Sequence, residues 1–418
     1  MNPTLEIFSQ GEEIVTGQTV DTNAAWLAQQ AVICGFTVTR HTAVGDKIND
    51  LVELLQNISQ RADCCICTGG LGPTSDDLTA EAVAIAFNLP LEFDETAYKQ
   101  ISLFFALRNR IMPDSNKKQA MLPQGAERID NDWGTAPGFS LVVNRCWFVF
   151  LPGVPTEMMS LFQESVLPVL SSRFLLQPKK LVSIKTFGLG ESAIQELINS
   201  IEIPAGVELG FRAGTDDVQT KLLFPFAYPK TLMTTLISRF TEKLGDYVFA
   251  IDGLDEMTGD LVFEINKLMT SRKFTLAIIE TASHGLFASK CIGYEWLLSA
   301  SYDKSIGTGT LQQNSISASD TNYLTSVAKQ MAINLQNSSQ ADHVLVQLYT
   351  DDTETLHNKN KPIMVYNFLL NKGVFYQANH LINGPIKRKQ NQAALFTFDL
   401  LRRYLQQKPM NFQNPKDC

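Results

Sequence analysis

A short apolar segment followed by a glycine-rich turn constrains the fold of this chain most strongly. Residues Cys64–Thr68 have the composition of a buried strand, and Gly69-Gly70-Leu71-Gly72-Pro73 follows them. A helix is predicted after this turn, with Thr74 to Asp77 supplying its capping side chains. A strand, a glycine loop and a helix N-terminus in this order leave backbone N–H groups free to bind an anion such as phosphate.

Two acidic residues directly follow the glycines. Asp76 and Asp77 would repel a phosphate by several kcal/mol in a partly desolvated pocket unless a divalent metal ion bridged them. The pattern therefore predicts a metal-dependent phosphate or diphosphate site. The alternative is that both aspartates only cap the helix. The glycine spacing matches neither a P-loop nor a Rossmann dinucleotide fingerprint.

The N-terminal part of the chain alternates strands and helices with short connections. Strands are predicted over 5–8 and 36–42, and helices over 24–33 and 50–59. This order predicts an α/β fold, a three-layer sandwich with a mostly parallel sheet covered on both faces.

Acidic residues follow three of these strands. Glu13, Asp46, Asp76 and Asp77 each come just past a strand end, and ligands bind outside the carboxyl ends of parallel strands. We expect the four to converge, although each one alone is more simply explained as a solvated loop residue.

Length and breakers predict three domains within the 418 residues. Their expected bounds are 1–172 for the α/β domain, 178–252 for a small α+β (KH-like) domain and 256–410 for a second α/β domain.

Charge and composition exclude several function classes. The net charge of −8 argues against a nucleic-acid surface, which needs a basic excess. There is no apolar run near 20 residues and no signal-peptide pattern, so we expect a cytoplasmic protein without a membrane span. The five histidines are scattered and the cysteines of Cys64–Thr68 alternate between faces, so no zinc site is expected.

Six ordered blocks carry a family resemblance. They are Gly11 to Asn23, Val44 to Asp46, Thr68 to Asp77, Asn116 to Ala120, Gly134 to Phe139 and Leu151 to Pro155. They closely resemble the competence/damage-inducible CinA family, whose first domain is similar to the molybdopterin-binding fold of molybdenum-cofactor biosynthesis proteins. The resemblance implies a homodimeric, metal-dependent ADP-ribose pyrophosphatase that uses Mg²⁺, Mn²⁺ or Co²⁺ and releases AMP and ribose 5-phosphate from its small-molecule nucleotide substrate.

The resemblance also implies roles for individual residues. Asp46, Asp77 and Lys118 would be catalytic. The metal ligands would be Glu13, Asp46, Asp76 and Asp77. The ligand-binding residues would be Gly69, Gly70, Gly72, Thr74, Asn116, Lys117, Gly134, Pro152 and Gly153. Without the resemblance, the two lysines are more simply explained as an exposed polar face.

The third domain departs from the family pattern. The family has a nicotinamide mononucleotide deamidase loop, Glu-Ser-Cys-Thr-Gly-Gly, where this chain has Thr281, Ala282 and His284 in place of the serine, the cysteine and a glycine. We therefore expect a deamidase fold without deamidase activity. The alternatives for the whole chain are a non-catalytic nucleotide- or pterin-binding protein and a nicotinamide mononucleotide deamidase.

Overall fold

The computed structural model describes residues 2–254, 256–302, 321–349 and 353–410. The chain divides into two compact units, Met1–Lys180 with Pro225–Ala227 and Leu181–Phe224 with Tyr228–Cys418. The second unit holds two separate sheets, so this division does not test the predicted boundary between a second and a third domain. The three-domain bounds stay a prediction.

The first unit is built on a six-stranded sheet. In spatial order its strands are β2 (Thr37–Val44), β1 (Thr4–Gln10), β3 (Cys64–Thr68), β8 (Cys146–Leu151), β7 (Gly138–Val143) and β6 (Glu127–Ile129). The first four pair in parallel, and β7 and β6 add antiparallel pairs. The predicted α/β fold with a mostly parallel sheet is confirmed.

Helices cover both faces of this sheet. They are α1 (Glu12–Val15), α2 (Thr22–Cys34), α3 (Ile48–Arg61), α4 (Thr79–Phe87), α5 (Glu95–Ala106), α6 (Pro155–Leu161) and α7 (Leu167–Arg173). Phe162–Val166 forms a π-helical turn, Asp114–Ala120 forms a 3₁₀ helix, and β4 (Leu91–Phe93) pairs with β5 (Met121–Pro123). Alternate strand residues feed two cores, since Ile66 packs with Leu27 of α2 whereas Cys67 packs with Leu55 of α3.

Local signals place α2 where the sequence predicts it. The Asp21 carboxylate accepts from the backbone N–H of Ala24 at 2.9 Å, and Gly35 ends the helix at φ 103°. The capping expected for α4 is wrong. Its N-cap is Leu78, without a side-chain hydrogen bond, because Asp77 instead accepts from the backbone N–H of Thr74 at 2.8 Å and closes its own turn.

The second unit contains a four-stranded and a five-stranded sheet. The first has the order β10 (Glu208–Ala213), β11 (Val218–Phe224), β9 (Lys180–Thr186) and β12 (Val248–Asp252), with helices α8 (Glu191–Ile198) and α9 (Lys230–Leu244). The second has the order β14 (Leu297–Tyr302), β13 (Leu276–Glu280), β15 (His343–Tyr349), β16 (Ile363–Asn371) and β17 (Val374–Ile382). The remaining helices are α10 (Leu261–Arg272), α11 (Leu286–Lys290), α12 (Thr321–Ser339), α13 (Thr353–His357) and α14 (Ile386–Leu405).

Helix α14 buries several charges. The carboxylate of Asp399 accepts from Arg402 Nε at 2.8 Å and from Arg403 Nε at 2.7 Å, and all three side chains are at most 2% exposed. Arg402 also donates to the backbone carbonyl of Asp246 at 2.9 Å. Charges buried in this way are stable only while they are paired.

No helix in the described part of the chain is long and apolar enough to cross a membrane.

Candidate functional site

A cavity of about 420 Å³ opens where β1, β3 and β8 end. Its walls come from the residues that follow these strands, among them Gln10, Glu13, Asp46, Gly69, Gly70 and Gly153. We call it the glycine crevice. It lies at the carboxyl edge of the parallel strands, where this class of sheet binds ligands.

The backbone of the glycine loop forms one wall of the crevice. Gly69 and Gly70 have φ values of 100° and 66°, which side-chain-bearing residues rarely adopt. Thr79 closes the loop, because its backbone N–H donates to the Gly70 carbonyl at 3.1 Å and its hydroxyl oxygen lies 3.0 Å from the Gly69 carbonyl oxygen. Among the described residues, none accepts a hydrogen bond from the N–H groups of Gly70, Leu71 or Gly72. Consecutive free N–H groups of this kind form anion-binding concavities.

Gln10, the last residue of β1, holds the loops around the crevice together. Its side-chain amide donates to Asp46 Oδ1 at 3.0 Å and to the backbone carbonyl of Asp76 at 3.1 Å, while its Oε1 accepts from the Thr79 hydroxyl. Gln10 is 5% exposed. The sequence predictions missed it, and the only signal was a polar residue closing an apolar strand.

The four predicted metal ligands all line the crevice, but loops already engage two of them. Asp46 Oδ2 accepts from the backbone N–H of Glu12 at 3.0 Å, and Asp77 accepts from the backbone N–H and the hydroxyl of Thr74. The pKa of Asp76 lies below its ordinary value because the Thr74 hydroxyl, whose proton it shares with Asp77, and then its own backbone N–H favour the ionised form. These carboxylates give the crevice an acidic wall.

The donor set fits a metal ion only in part. Within the described ranges, no three His, Cys, Asp or Glu side chains come together as a ligand cluster. A Mg²⁺-type ion needs only one or two carboxylates when phosphate oxygens and waters complete its shell. The predicted divalent metal and the ligand roles of Glu13, Asp46, Asp76 and Asp77 stay predictions.

The predicted basic residues lie beside the crevice rather than in its wall. Lys118 Nζ donates to the Thr74 carbonyl at 2.7 Å, and Lys117 pairs with the exposed Asp114 at 3.3 Å. Asn116 does not line the crevice itself, but its side-chain amide donates at 2.8 Å to Gln119, which does.

Two further loops complete the walls. Pro152 and Gly153 line the crevice, and a Cβ on Gly153 would come within 3.4 Å of the Gly69 Cα. A Cβ on Gly134 would collide with the carboxylate of Glu157, another lining residue that the sequence predictions missed. Gly134 is not itself a lining residue, but its missing side chain leaves room for the Glu157 carboxylate.

The hydroxyl groups of Thr281 and Ser283, in the loop after β13, are already engaged in hydrogen bonds. The Thr281 hydroxyl donates to the Gln347 carbonyl at 2.8 Å and the Ser283 hydroxyl to Glu280 at 2.6 Å, and both residues are buried. His284 adopts a left-handed backbone, φ 54°, where the family resemblance expects glycine.

Comparisons with known proteins assign a family to the chain. Residues 6–172 match the family described as "Probable molybdopterin binding domain". A CinA-like protein of Shewanella woodyi is 37% identical over 293 residues, which cover 69% of this chain and 68% of the relative. A CinA-like protein of Escherichia coli strain SMS-3-5 is 40% identical over 288 residues, covering 68% and 70%. A solved CinA structure "with unknown function" from Thermoplasma acidophilum is 29% identical and covers 41% of this chain and 98% of its own, but its TM-score of 0.37 supports no further inference.

These comparisons correct the expected activity. The prediction of ADP-ribose hydrolysis is wrong, because the matched family is described as molybdopterin-binding and neither relative is named as a pyrophosphatase. The family includes enzymes, and the roles given to Asp46, Asp77 and Lys118 stay predictions.

Identity of 40% over 70% of a curated relative is enough to assign the family. This chain therefore belongs to the CinA-like protein family.

Proposed function

We propose that the first unit binds a phosphorylated pterin of the molybdopterin type in the glycine crevice. The matched span, residues 6–172, contains every wall of that crevice. The proposal rests on one observation, the row of backbone N–H groups at Gly70, Leu71 and Gly72 that have no acceptor among the described residues. These groups can bind the phosphate, and Gly70 and Gly72 have no Cβ that would obstruct it.

The charge of the crevice favours this class of ligand. Five carboxylates line it, those of Glu13, Asp46, Asp76, Asp77 and Glu157, and the lining contains no lysine or arginine. The amino group and the ring N–H of a pterin donate hydrogen bonds, and carboxylates accept them. The phosphate of the same ligand needs a compensating cation, so we propose that Mg²⁺ or a similar divalent ion accompanies it.

Deamidation of nicotinamide mononucleotide gains no support from a contact among the described residues. It would need a reactive hydroxyl in the loop after β13, and those of Thr281 and Ser283 are buried and already hydrogen-bonded. Ammonia release from this nucleotide is the direct assay. The homodimer also stays a proposal from the family resemblance, which light scattering tests.

Fluorescence titration with pterin-6-ylmethyl phosphate, with and without Mg²⁺, tests the proposal. Wild-type protein should bind the probe, and chelation of Mg²⁺ should weaken binding. Gly70→Ala should lower the affinity at least about tenfold, because its Cβ would collide with Gln10 and Thr79 and its φ of 66° is strained for alanine.

Gly210→Ala is the matched control, because its Cβ would meet no atom within 4 Å and its φ is ordinary. It should bind like the wild type. Absence of binding by the wild type, at any Mg²⁺ concentration, would refute the proposed function.

A further inference from the structure

A smaller cavity of about 140 Å³ adjoins the glycine crevice beside the N-terminus of α2. The two cavities share Gln10, Glu13, Gly69 and Gly153 in their linings. We call the smaller cavity the side lobe. A ligand bound on the glycine loop therefore lies directly beside the side lobe.

Asn23 presents an unpartnered acceptor in the side lobe. Its Nδ2 donates to the Thr68 hydroxyl at 3.1 Å and to the Gly153 carbonyl at 2.8 Å. A carbonyl only accepts, so this pair of bonds fixes the orientation of the amide. Asn23 Oδ1 then has no partner among the described residues, although Asn23 is only 8% exposed.

Ser9 is the second such group. It is 3% exposed, its hydroxyl has no hydrogen-bond partner in the described part of the chain, and it lines the same lobe. Ser9 pairs in register with Thr68 in the parallel sheet, which brings it to the strand end beside Asn23. Buried polar atoms are almost always paired in folded proteins, so two orphans at one cavity indicate a missing partner there.

The remaining lining of the lobe defines the chemistry of that partner. It contains the carboxylates of Glu13 and Asp21 and the hydroxyls of Thr19 and Thr22, but no lysine or arginine. Asp21 is already used, because it accepts from the backbone N–H of Ala24 as the cap of α2. The lobe therefore suits a neutral group rich in N–H donors and repels an anion.

We infer that the side lobe binds the 2-amino-4-oxopyrimidine end of the pterin, an inference that rests on the proposed function. The amino group and the ring N–H of this end donate to Asn23 Oδ1 and the Glu13 carboxylate, and its oxo group accepts from the Ser9 hydroxyl. The ligand then lies with its phosphate on the glycine loop and its donor edge against α2. The side lobe thereby selects a 2-amino ring over a 2-oxo ring.

Ser9→Ala tests this inference without disturbing the fold. Among the described residues the Ser9 hydroxyl has no hydrogen-bond partner, so its removal should leave the hydrogen exchange of β1 peptides in the free protein unchanged or slightly slower. Affinity for pterin-6-ylmethyl phosphate should fall about 3- to 10-fold. Preference for this probe over its 2,4-dioxo counterpart, a lumazine phosphate, should be present in the wild type and lost in Asn23→Ala.

Ser59→Ala is the control with the opposite pattern. Ser59 is equally buried, but its hydroxyl donates to the Gln56 carbonyl at 2.7 Å and accepts from Asn144 at 2.9 Å. This variant should lose stability and keep wild-type affinity.

The two proposals fail in different ways. Wild-type protein that binds neither probe refutes the proposed function and the inference with it. Wild-type protein that binds both probes equally, or a Ser9→Ala variant with unchanged affinity, overturns the inference alone and leaves only a water site in the lobe.

Discussion

Replacing Asp399 by asparagine should strongly destabilise α14. The variant keeps the size of the side chain but removes the charge that two buried guanidinium groups share, those of Arg402 and Arg403. Its amide nitrogen would face one of them, donor against donor. Breaking a buried ion pair from one side costs about 3 to 5 kcal/mol, because the remaining charge stays buried without its partner.

Hydrogen exchange measured by mass spectrometry on α14 peptides is the appropriate assay, since global unfolding of a chain with two compact units is not a single transition. The predicted loss corresponds to exchange that is about 150- to 5,000-fold faster for amides that open with the helix. Asp114→Asn removes an exposed ion pair with Lys117 and should change exchange little anywhere. If Asp399→Asn behaved like Asp114→Asn, the claim that this triad holds the helix would be refuted.

Two further predictions concern the second unit. Burial lowers the pKa of His380 to about 4, so the unfolded state, with an ordinary pKa near 6.5, binds more protons between these values. Stability of the second unit should therefore fall as the pH drops from about 6.5 to 4. His380→Gln should flatten that slope in the hydrogen exchange of β17 peptides, corrected for the intrinsic pH dependence of exchange, and an unchanged slope contradicts the assignment. Lys389 is fully buried, and the three N–H groups of its ammonium are shared among four backbone carbonyls, those of Thr355, Leu356, Asn358 and Lys361. Lys389→Met should leave these acceptors unpaired and speed proteolysis within 354–361, whereas the exposed Lys387→Met should not, and equal rates would argue against the role of this ammonium group.

The sequence was most informative where the cause of a structure is local. The cap of α2 depends on Asp21 and the residue three positions later, and its end depends on Gly35, so both could be predicted. The glycine loop and the parallel order of the strands were also visible, because breakers and apolar runs are local patterns.

Contacts between distant residues were not visible in this way. Gln10 meets Thr79 across 69 positions, and Asn23 meets Gly153 across 130. No periodicity marks such pairs, so Gln10 and Asn23, which fix the walls of the crevice, were overlooked, whereas four of its five acidic residues were found. The prediction of side-chain caps for α4 failed for the opposite reason, because Asp77 accepts a hydrogen bond from the nearby backbone N–H of Thr74 instead of one from the helix.

The single side-chain amide of Gln10 joins two loops, the one after β2 and the one that leads into α4, before any ligand binds. A ligand therefore binds between loops that are already ordered, and these loops lose little conformational entropy on binding. The ligand binds a preformed site, so the observed binding kinetics should follow one exponential phase without a slow closing step.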